Sequence, residues 1–522
     1  MSATVSKEER RWARRWAVVV VVLTCLPYLF AWRLAPDDTQ YTWLLINHYD
    51  GASYYAKMQQ GARGEWLFHL PFTPEPHDGA FIFTFYLALG HLASALRLPI
   101  PLVYHLARAA AGLFLLSVAY PFVARFFARV LTRRTAFILI CFSAGLGWFL
   151  APLGLTVADL WVAEGFTFLS MLANPHFPLA IGLMLLLFGG ALDLATAATK
   201  PAHLIGSALT GLLLAVIQPF AVPIVLVVLG VYLGLVTLRD RRPPWGQWAL
   251  AGSAALGAAP VMLYDLYVYQ SNPALAAWSA QNVTASLPPW DFALGYGLVL
   301  LLAIPGAAVA LRRRRPADLF LLAWVGSVAV LLYVPFALQR RFITGFHIPL
   351  VLLAILGIEQ VVWPRLAARH RPLVTGLLVG FTALTNLFVP LVAVAGVAQG
   401  DNPLLMSRDE AAAYAWLAEN TAWTDTVLAP VASGQFVPAW AGNRVVWGHP
   451  FETIDAERKQ AEVNRFYESD ASADTRRALL ERYGIQYVLV LSPELDASLT
   501  SIGLTTQWSQ GDATLYGVET GP

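Results

Sequence analysis

The sequence predicts an all-α polytopic membrane protein with a small α/β domain at its C-terminal end, and three observations favour this fold class. Apolar residues make up 57% of the 522 residues and charged residues only 13%, whereas a soluble globular chain is nearer to half apolar and a quarter charged. Apolar stretches such as residues 16–34, 220–238 and 372–397 are long enough to cross a bilayer core of roughly 30 Å. After Gln399 the composition becomes that of a soluble domain.

Basic residues between the apolar stretches predict the topology, because short basic loops stay on the cytoplasmic side. The N-terminal segment 7–15 and the loops 125–134, 239–242, 312–315 and 365–371 are therefore expected inside. An even number of crossings must separate successive inside loops, which gives about eleven spans. The expected spans are 16–34, 102–123, 136–153, 178–196, 203–217, 219–237, 246–267, 291–311, 317–337, 343–362 and 373–397.

Two segments at the start of the chain need separate treatment. The first apolar run is longer than the core of a usual signal peptide and no small-residue cleavage site follows it, so a retained span is expected. Residues 81–96 conflict with the charge rule, because one more span would place the loop 125–134 outside. A juxtamembrane or re-entrant helix is expected there, and a twelfth span that breaks the rule stays open.

The chain is expected to form two domains. Residues 1–398 form the transmembrane domain, with residues 35–79 as its first outer loop, and residues 399–522 form a soluble extracytoplasmic α/β domain. A segment as long as residues 399–522 can support its own hydrophobic core. Its helix 408–421 is expected to begin with Ser407 as N-cap and a capping box to Glu410. Its other expected elements are helices 455–467 and 473–483 and strands 426–431, 444–447 and 487–491.

The first outer loop carries the candidate catalytic Asp50 and the candidate substrate-binding Tyr54 and Tyr55. Residues 51–61 have the spacing of an amphipathic helix that lies at the membrane interface. Asp50 directly precedes this stretch, where the helix dipole favours a carboxylate. The alternative is that Asp50 is only the N-cap of the helix.

A second group of candidates lies in a later outer loop. Asp159 and Glu164 stand among apolar residues, and His176 follows at the entrance to the next span. Carboxylates in such a setting serve as general base, cation ligand or electrostatic partner. The alternative is ordinary solvated loop charge.

The adjacent Arg340 and Arg341 lie on the expected outer face, where paired arginines are unusual. A guanidinium group presents a planar fork that suits phosphate oxygens. These two residues are therefore candidates for binding the phosphate of a lipid carrier, with His347 assisting. The alternative is snorkelling towards ordinary phospholipid headgroups.

Other patterns are weaker or missing. His449 and Glu452 lie in a polar stretch for which turn formation is the simpler interpretation and contact with a substrate is the alternative. The acidic pair Asp37 and Asp38 is a rival to Asp50. The chain has no P-loop, no dinucleotide-binding glycine pattern and no zinc-protease or Cys-x-x-Cys motif. An ATP-driven pump or a zinc protease is therefore disfavoured.

Residues 50–67 resemble the first outer loop of the GT-C glycosyltransferases, in particular the protein mannosyltransferase and aminoarabinose transferase branch (glycosyltransferase family 39-like). Their sequence is DGASYYAKMQQGARGEWL. The resemblance implies a GT-C-like fold, Asp50 as the general base or its partner, and Asp159 or Glu164 as a second acid. This sequence departs from the family pattern at Gly51, where a second acid is usual, and at residues 76–79, where Lys-Pro-Pro is common.

The resemblance implies a plasma-membrane transferase that moves a sugar from a polyprenyl-phosphate carrier to an acceptor on the outer face. The sequence leaves open the sugar, the acceptor (glycan, lipid or protein) and a requirement for a divalent cation. No nucleic-acid partner is expected, because the basic residues sit in short clusters between apolar segments. The alternatives are a transporter or flippase of a lipid-linked substrate and an inactive scaffold of the cell envelope.

Overall fold

Helices account for most of the chain, since a backbone that crosses a bilayer must satisfy its own hydrogen bonds. The structure is a computed structural model, which describes residues 5–195, 198–400, 403–492, 499–500 and 502–518. The helices α1–α21 are Lys7–Leu34, His48–Ala62, Thr84–Leu96, Ile100–Val123, Val130–Phe142, Gly147–Leu150, Thr167–Ala173, His176–Asp193, Pro201–Ile217, Ala221–Asp240, Trp245–Ser271, Pro273–Gln281, Pro289–Arg313, Pro316–Leu331, His347–Gly357, Arg371–Thr382, Leu384–Gln399, Arg408–Asn420, Val431–Gly434, Ala456–Tyr467 and Ala473–Tyr483.

The chain divides into two compact units. The helical unit comprises Met1–Pro27, His105–Tyr264 and Thr284–Val392. The mixed unit comprises Tyr28–Tyr104, Asp265–Val283 and Ala393–Pro522. The mixed unit therefore contains both residues 35–79 and the region after residue 393. The domain boundary predicted at residue 399 stays a prediction.

Nine helical segments among the described residues are long and apolar enough to cross a membrane, which supports a multi-pass membrane protein. They are Lys7–Leu34, Ile100–Val123, Val130–Leu153, His176–Asp193, Ala221–Asp240, Trp245–Ser271, Pro289–Arg313, His347–Arg365 and Ala368–Gln399. Three further apolar helices are shorter, namely Thr84–Leu96, Pro201–Ile217 and Pro316–Leu331. The first of these is the segment expected to be juxtamembrane or re-entrant.

The C-terminal part of the mixed unit contains the expected small sheet. The strands β1–β7 of the described residues are Thr39–Tyr41, Leu405–Ser407, Thr426–Leu428, Arg444–Val445, Ile485–Val490, Leu504–Gln510 and Ala513–Val518. β1 pairs with β2, and the others form a five-stranded sheet in the order β4-β3-β5-β7-β6. The predicted strands are present as β3, β4 and β5, whereas the antiparallel pair β6–β7 was not predicted. The core of this part contains Val446, Val463, Phe466, Val488 and Leu504.

The helices predicted in this region are confirmed as α18, α20 and α21. Ser407 caps α18 as predicted, because its side chain accepts from the Glu410 amide at 3.0 Å. The Glu410 carboxylate instead accepts from the hydroxyl of Tyr414, so only one half of the predicted capping box is present.

The helix predicted at residues 51–61 begins earlier and lies deeper than predicted. α2 starts at His48 with Asn47 as its N-cap, so Asp50 lies inside the first turn and is not the cap. α2 is largely buried in the mixed unit, not spread on an interface. Two glycines allow this packing: a Cβ at Gly61 would lie 2.0 Å from a backbone oxygen of α3, and one at Gly90 of α3 would lie 2.0 Å from a backbone oxygen of α2.

In the helical unit, α13 and α15 approach closely where two glycines face each other. A Cβ at Gly306 of α13 would lie 1.8 Å from the backbone oxygen of Leu353, and one at Gly357 of α15 would lie 2.4 Å from that of Leu302. Small residues permit such close helix contacts, which carry much of the packing between helices in a membrane.

We predict that Gly306→Ala destabilises the protein by about 1–3 kcal/mol, the usual effect of inserting a methyl group into a full interface. Thermal unfolding in detergent would measure the change. The control is Gly326→Ala in α14, where a Cβ meets nothing within 4 Å, and where alanine is the better helix former. Equal unfolding temperatures for the two variants would contradict the close contact.

Candidate functional site

Asp50 and His449 form a pair in the mixed unit. Asp50 is the third residue of α2, where unpaired backbone N–H groups and the helix dipole favour a carboxylate. Its Oδ1 lies 3.8 Å from Nε2 of His449. The side chain of Asp50 is 39% exposed, whereas that of His449 is 2% exposed. Asp50 is thus a solvent-accessible carboxylate beside a buried imidazole.

The imidazole of His449 has one defined tautomer. Its Nδ1 accepts hydrogen bonds from the backbone amides of Phe451 and Glu452, at 3.0 and 3.1 Å. A nitrogen that accepts carries no proton, so in the neutral ring the proton is on Nε2. That N–H is on the nitrogen nearest to Asp50.

A buried ion pair joins α2 to the segment that carries His449. Nζ of Lys57 lies 3.0 and 3.2 Å from the two carboxylate oxygens of Glu452, and the hydroxyl of Ser53 donates to the same carboxylate at 2.6 Å. Lys57 is 1% exposed. Burial by itself would raise the pKa of Glu452, but the charge of Lys57 and the hydrogen bonds overcome this and lower that pKa. Lys57 also lies 4.5 Å from the ring centroid of Phe83.

A second buried lysine secures the later part of the outer loop. Nζ of Lys459 in α20 lies 2.6 Å from Oε1 of Glu75 and 3.0 Å from the hydroxyl of Thr73. Although burial alone would raise it, the pKa of Glu75 is lowered by Lys459. The outer loop is therefore tied at two points to the region after residue 393.

The two candidate tyrosines of α2 differ in environment. Tyr55 is fully buried, with its ring stacked 5.3 Å from that of Trp440, so it is a core residue. Tyr54 is half-buried and stacks on Tyr86 at 4.3 Å. Position 51 cannot take the second acid of the family pattern without a shift, because a Cβ there would lie 2.5 Å from the side chain of Leu44.

In the helical unit, Asp159 is a buried carboxylate held by the backbone. Its Oδ2 accepts from the amides of Gly145 and Gly147 at 2.9 and 3.1 Å, and its exposure is 0%. Burial raises the pKa of Asp159 to about 6, although these hydrogen bonds oppose the increase. The contacts fix two loop segments to each other.

The helical unit also brings the loop of Glu164 to the arginine pair. The backbone oxygen of Glu164 accepts from the amide of Gly345 at 3.1 Å. The guanidinium of Arg340 lies 4.4 Å from the ring centroid of Trp161, and that of Arg341 lies 5.7 Å from that of Phe220. Both arginines are half-buried, and Glu164 is 6% exposed.

The two candidate histidines of this unit lie in its interior. His347 is 1% exposed, with Nε2 2.9 Å from the hydroxyl of Ser143 and Nδ1 2.9 Å from that of Thr167. These contacts engage both ring nitrogens of His347 within the unit. His176 is the first residue of α8 and is 4% exposed, with its ring 4.1 Å from that of Phe177.

The interactions of Lys57, Ser53, Glu452 and His449 were not predicted. Lys57 is the one charged residue in 51–62, and a lone lysine among small and aromatic residues signals a buried cation that needs a carboxylate. No local pattern identifies Glu452 as that partner, because it lies 395 positions away. Among the described residues, no group of three His, Cys, Asp or Glu side chains could hold a metal ion.

The chain was compared with family models, curated proteins and solved structures. No family model matches the chain, and no curated protein matches it. Among solved structures, ArnT from Cupriavidus metallidurans bound to undecaprenyl phosphate is 13% identical, with a TM-score of 0.56 over 97% of this chain and 99% of ArnT. Archaeal oligosaccharyltransferase AglB from Archaeoglobus fulgidus, in complex with an inhibitory peptide and a dolichol-phosphate, is 15% identical, with a TM-score of 0.51 over 93% of this chain and 70% of AglB.

The arabinofuranosyltransferase AftD from Mycobacteria is 13% identical, with a TM-score of 0.50 over 97% of this chain and 40% of AftD. All three proteins are GT-C glycosyltransferases. The chain therefore has the fold of the GT-C glycosyltransferases, as the resemblance of residues 50–67 implied.

We predict that Lys57→Met alone destabilises the protein by about 3–5 kcal/mol, because it leaves a buried carboxylate without its counter-charge. The double variant Lys57→Met/Glu452→Met should recover most of this loss, since two apolar side chains replace two charges. Thermal unfolding in detergent would measure both. Arg477→Met is the control, because its ion pair with Asp474 is exposed and contributes little. A double variant no more stable than the single one would refute the predicted coupling.

Proposed function

We propose that the chain is a GT-C-type glycosyltransferase that moves a sugar from a polyprenyl-phosphate carrier to an acceptor on the outer face of the plasma membrane. The observation that carries this proposal is an accessible carboxylate, Asp50, at the start of a buried helix within this fold. ArnT and AglB, which share the fold, were solved with undecaprenyl phosphate and dolichol-phosphate respectively.

Asp50 is proposed as the general base. It takes the proton of the acceptor hydroxyl while the acceptor oxygen forms a bond to the anomeric carbon of the sugar. The bond from that carbon to the phosphate oxygen breaks, and its electron pair stays on the polyprenyl phosphate that leaves. Positioned proton transfer of this kind typically contributes 10²–10⁴-fold to a rate, as an order of magnitude.

Arg340 and Arg341 are proposed to hold the carrier phosphate. The contact between Arg340 and Trp161 supports this role. The face of an indole ring can hold a guanidinium group in position without using all of its N–H donors, which leaves donors for a phosphate. Stabilising the charge that develops on a leaving phosphate is usually a large part of such catalysis. Glu164, on the loop joined to this segment, is the proposed second acid, acting directly or through a divalent cation.

The proposed topology has eleven spans, with a cytoplasmic N-terminus and an extracytoplasmic C-terminal region. It counts the nine long helical segments together with the shorter Pro201–Ile217 and Pro316–Leu331 as spans. α3 is then the juxtamembrane or re-entrant helix, and its close packing against α2 supports this assignment.

We predict that the purified protein retains added undecaprenyl phosphate in native mass spectrometry and that Arg340→Ala/Arg341→Ala loses most of it. The reason is that the double variant removes both guanidinium forks proposed to bind the phosphate. The control is Arg241→Ala/Arg242→Ala, another adjacent pair, which is exposed on the opposite, cytoplasmic face of this topology. Equal retention by both double variants would refute the proposed carrier site.

We predict that Asp50→Asn lowers sugar transfer by at least about 100-fold, because an amide cannot accept the acceptor's proton. Release of undecaprenyl phosphate from a panel of undecaprenyl-phosphate-linked sugars would measure this. Asp78→Asn, which removes an exposed carboxylate from the same outer loop, should transfer at the wild-type rate. Near-wild-type turnover by Asp50→Asn would exclude Asp50 as the base.

A further inference from the structure

We propose that His449 is the positioning residue of Asp50: its Nε2–H orients this carboxylate and keeps it ionised for proton transfer. The proposal deepens the proposed function and rests on it, because it concerns the residue assigned there as the base. It makes the segment 448–453 a part of the catalytic centre.

The first argument is the fixed orientation of the imidazole. Two backbone N–H groups occupy Nδ1, which directs the Nε2–H towards Asp50. The ring is held between Tyr49 and Phe72, each with its ring centroid 5.6 Å from that of His449. An imidazole fixed in this way keeps its donor aimed at one place.

The second argument is the buried Nε2 atom. Among the described residues it has no hydrogen-bond partner, and a buried N–H without a partner is costly. Asp50 is the carboxylate within ion-pair distance, at 3.8 Å. This distance is longer than a hydrogen bond, but catalytic hydrogen bonds are often long in ligand-free structures and shorten when substrate binds.

The third argument is how the segment of His449 is fixed. Thr453 Oγ1 accepts from the amides of Gly448 and His449, at 3.3 and 3.1 Å. Glu452 is bound to Lys57, two turns along α2 from Asp50. The same helix therefore carries the carboxylate and anchors the loop of its partner, which limits how far the two can separate.

Other ionisable groups act on this pair. His48 precedes Asp50 on α2, and burial lowers the pKa of His48, with His449 adding to the lowering and Asp50 opposing it. Glu452 and His449 interact electrostatically, but Lys57 neutralises the charge of Glu452. The phenol of Tyr86 is also within electrostatic reach of Asp50. Among them, His449 places its Nε2 atom 3.8 Å from Oδ1 of Asp50.

The structural test is nuclear magnetic resonance of protein labelled with ¹⁵N-histidine, with the His449 signals assigned by their loss in His449→Phe. We expect an unprotonated Nδ1 and a protonated Nε2, and in Asp50→Asn a displaced Nε2–H signal that exchanges faster with solvent. Asp78→Asn is the control and should leave the signal in place. The opposite tautomer, or a signal that Asp50→Asn does not change, would overturn the pairing.

The functional test is the pH dependence of transfer. A donor to the ionised carboxylate favours the ionised form, so its removal in His449→Phe should move the acidic limb of kcat/KM to higher pH by about one unit or more. His449→Gln retains an N–H donor, so its acidic limb should lie close to that of the wild type. Retention of undecaprenyl phosphate should be unchanged in both variants, since His449 is proposed to act on Asp50 alone.

The two tests separate this proposal from the proposed function. An unshifted acidic limb in a folded, active His449→Phe protein would overturn the positioning role while Asp50 could still be the base. Full activity of Asp50→Asn would instead overturn the role of Asp50 as base. The positioning role of His449 would then fall as well, even if the resonance data showed contact between the two side chains.

Discussion

The buried ion pair of Lys57 and Glu452 is the contact on which the arrangement of the mixed unit depends. A lysine that is 1% exposed and surrounded by aromatic rings is stable only with a carboxylate partner. That partner comes from a segment 395 positions along the chain, and it brings His449 with it. The loop that carries His449 is therefore anchored by charge neutralisation two turns further along the helix that carries Asp50. The sequence places the lysine and the candidate base on one short helix, so a single contact orders both.

Close packing of α2 against α3 is the second constraint on the mixed unit. α2 meets that requirement with small residues: Gly61 and Gly90 let α2 and α3 approach until a Cβ at either position would overlap the opposite backbone. Gly51 similarly accommodates Leu44. The Gly at position 51, where the family resemblance has a second acid, thus lies against the side chain of Leu44.

Local patterns predicted the fold well where local interactions determine it. Hydropathy predicted eleven spans, of which nine correspond to long apolar helical segments among the described residues. The Ser407 cap and the amphipathic spacing identified α18, and α20 and α21 were also predicted. The hairpin β6–β7 was missed although Gly511 and Asp512 separate two strand-like runs. The start of α2 was placed at residue 51 instead of His48, since Asn47 has a left-handed backbone and no side-chain cap bond. Asp50 and the arginine pair stay predictions for the site, and the sequence could not show that His347 contacts Ser143 and Thr167.

Exposure distinguishes the two candidate acids that sequence patterns treat alike. A general base must contact the acceptor, and Asp50 is 39% exposed in its side chain whereas Asp159 is 0% exposed. The carboxylate of Asp159 accepts from the amides of Gly145 and Gly147, which joins its loop to the segment at the start of α6. Its carboxylate is therefore suited to shaping the loop that carries Trp161 and Glu164. Trp161 in turn contacts Arg340, so this chain of contacts links the loop held by Asp159 to the arginine pair.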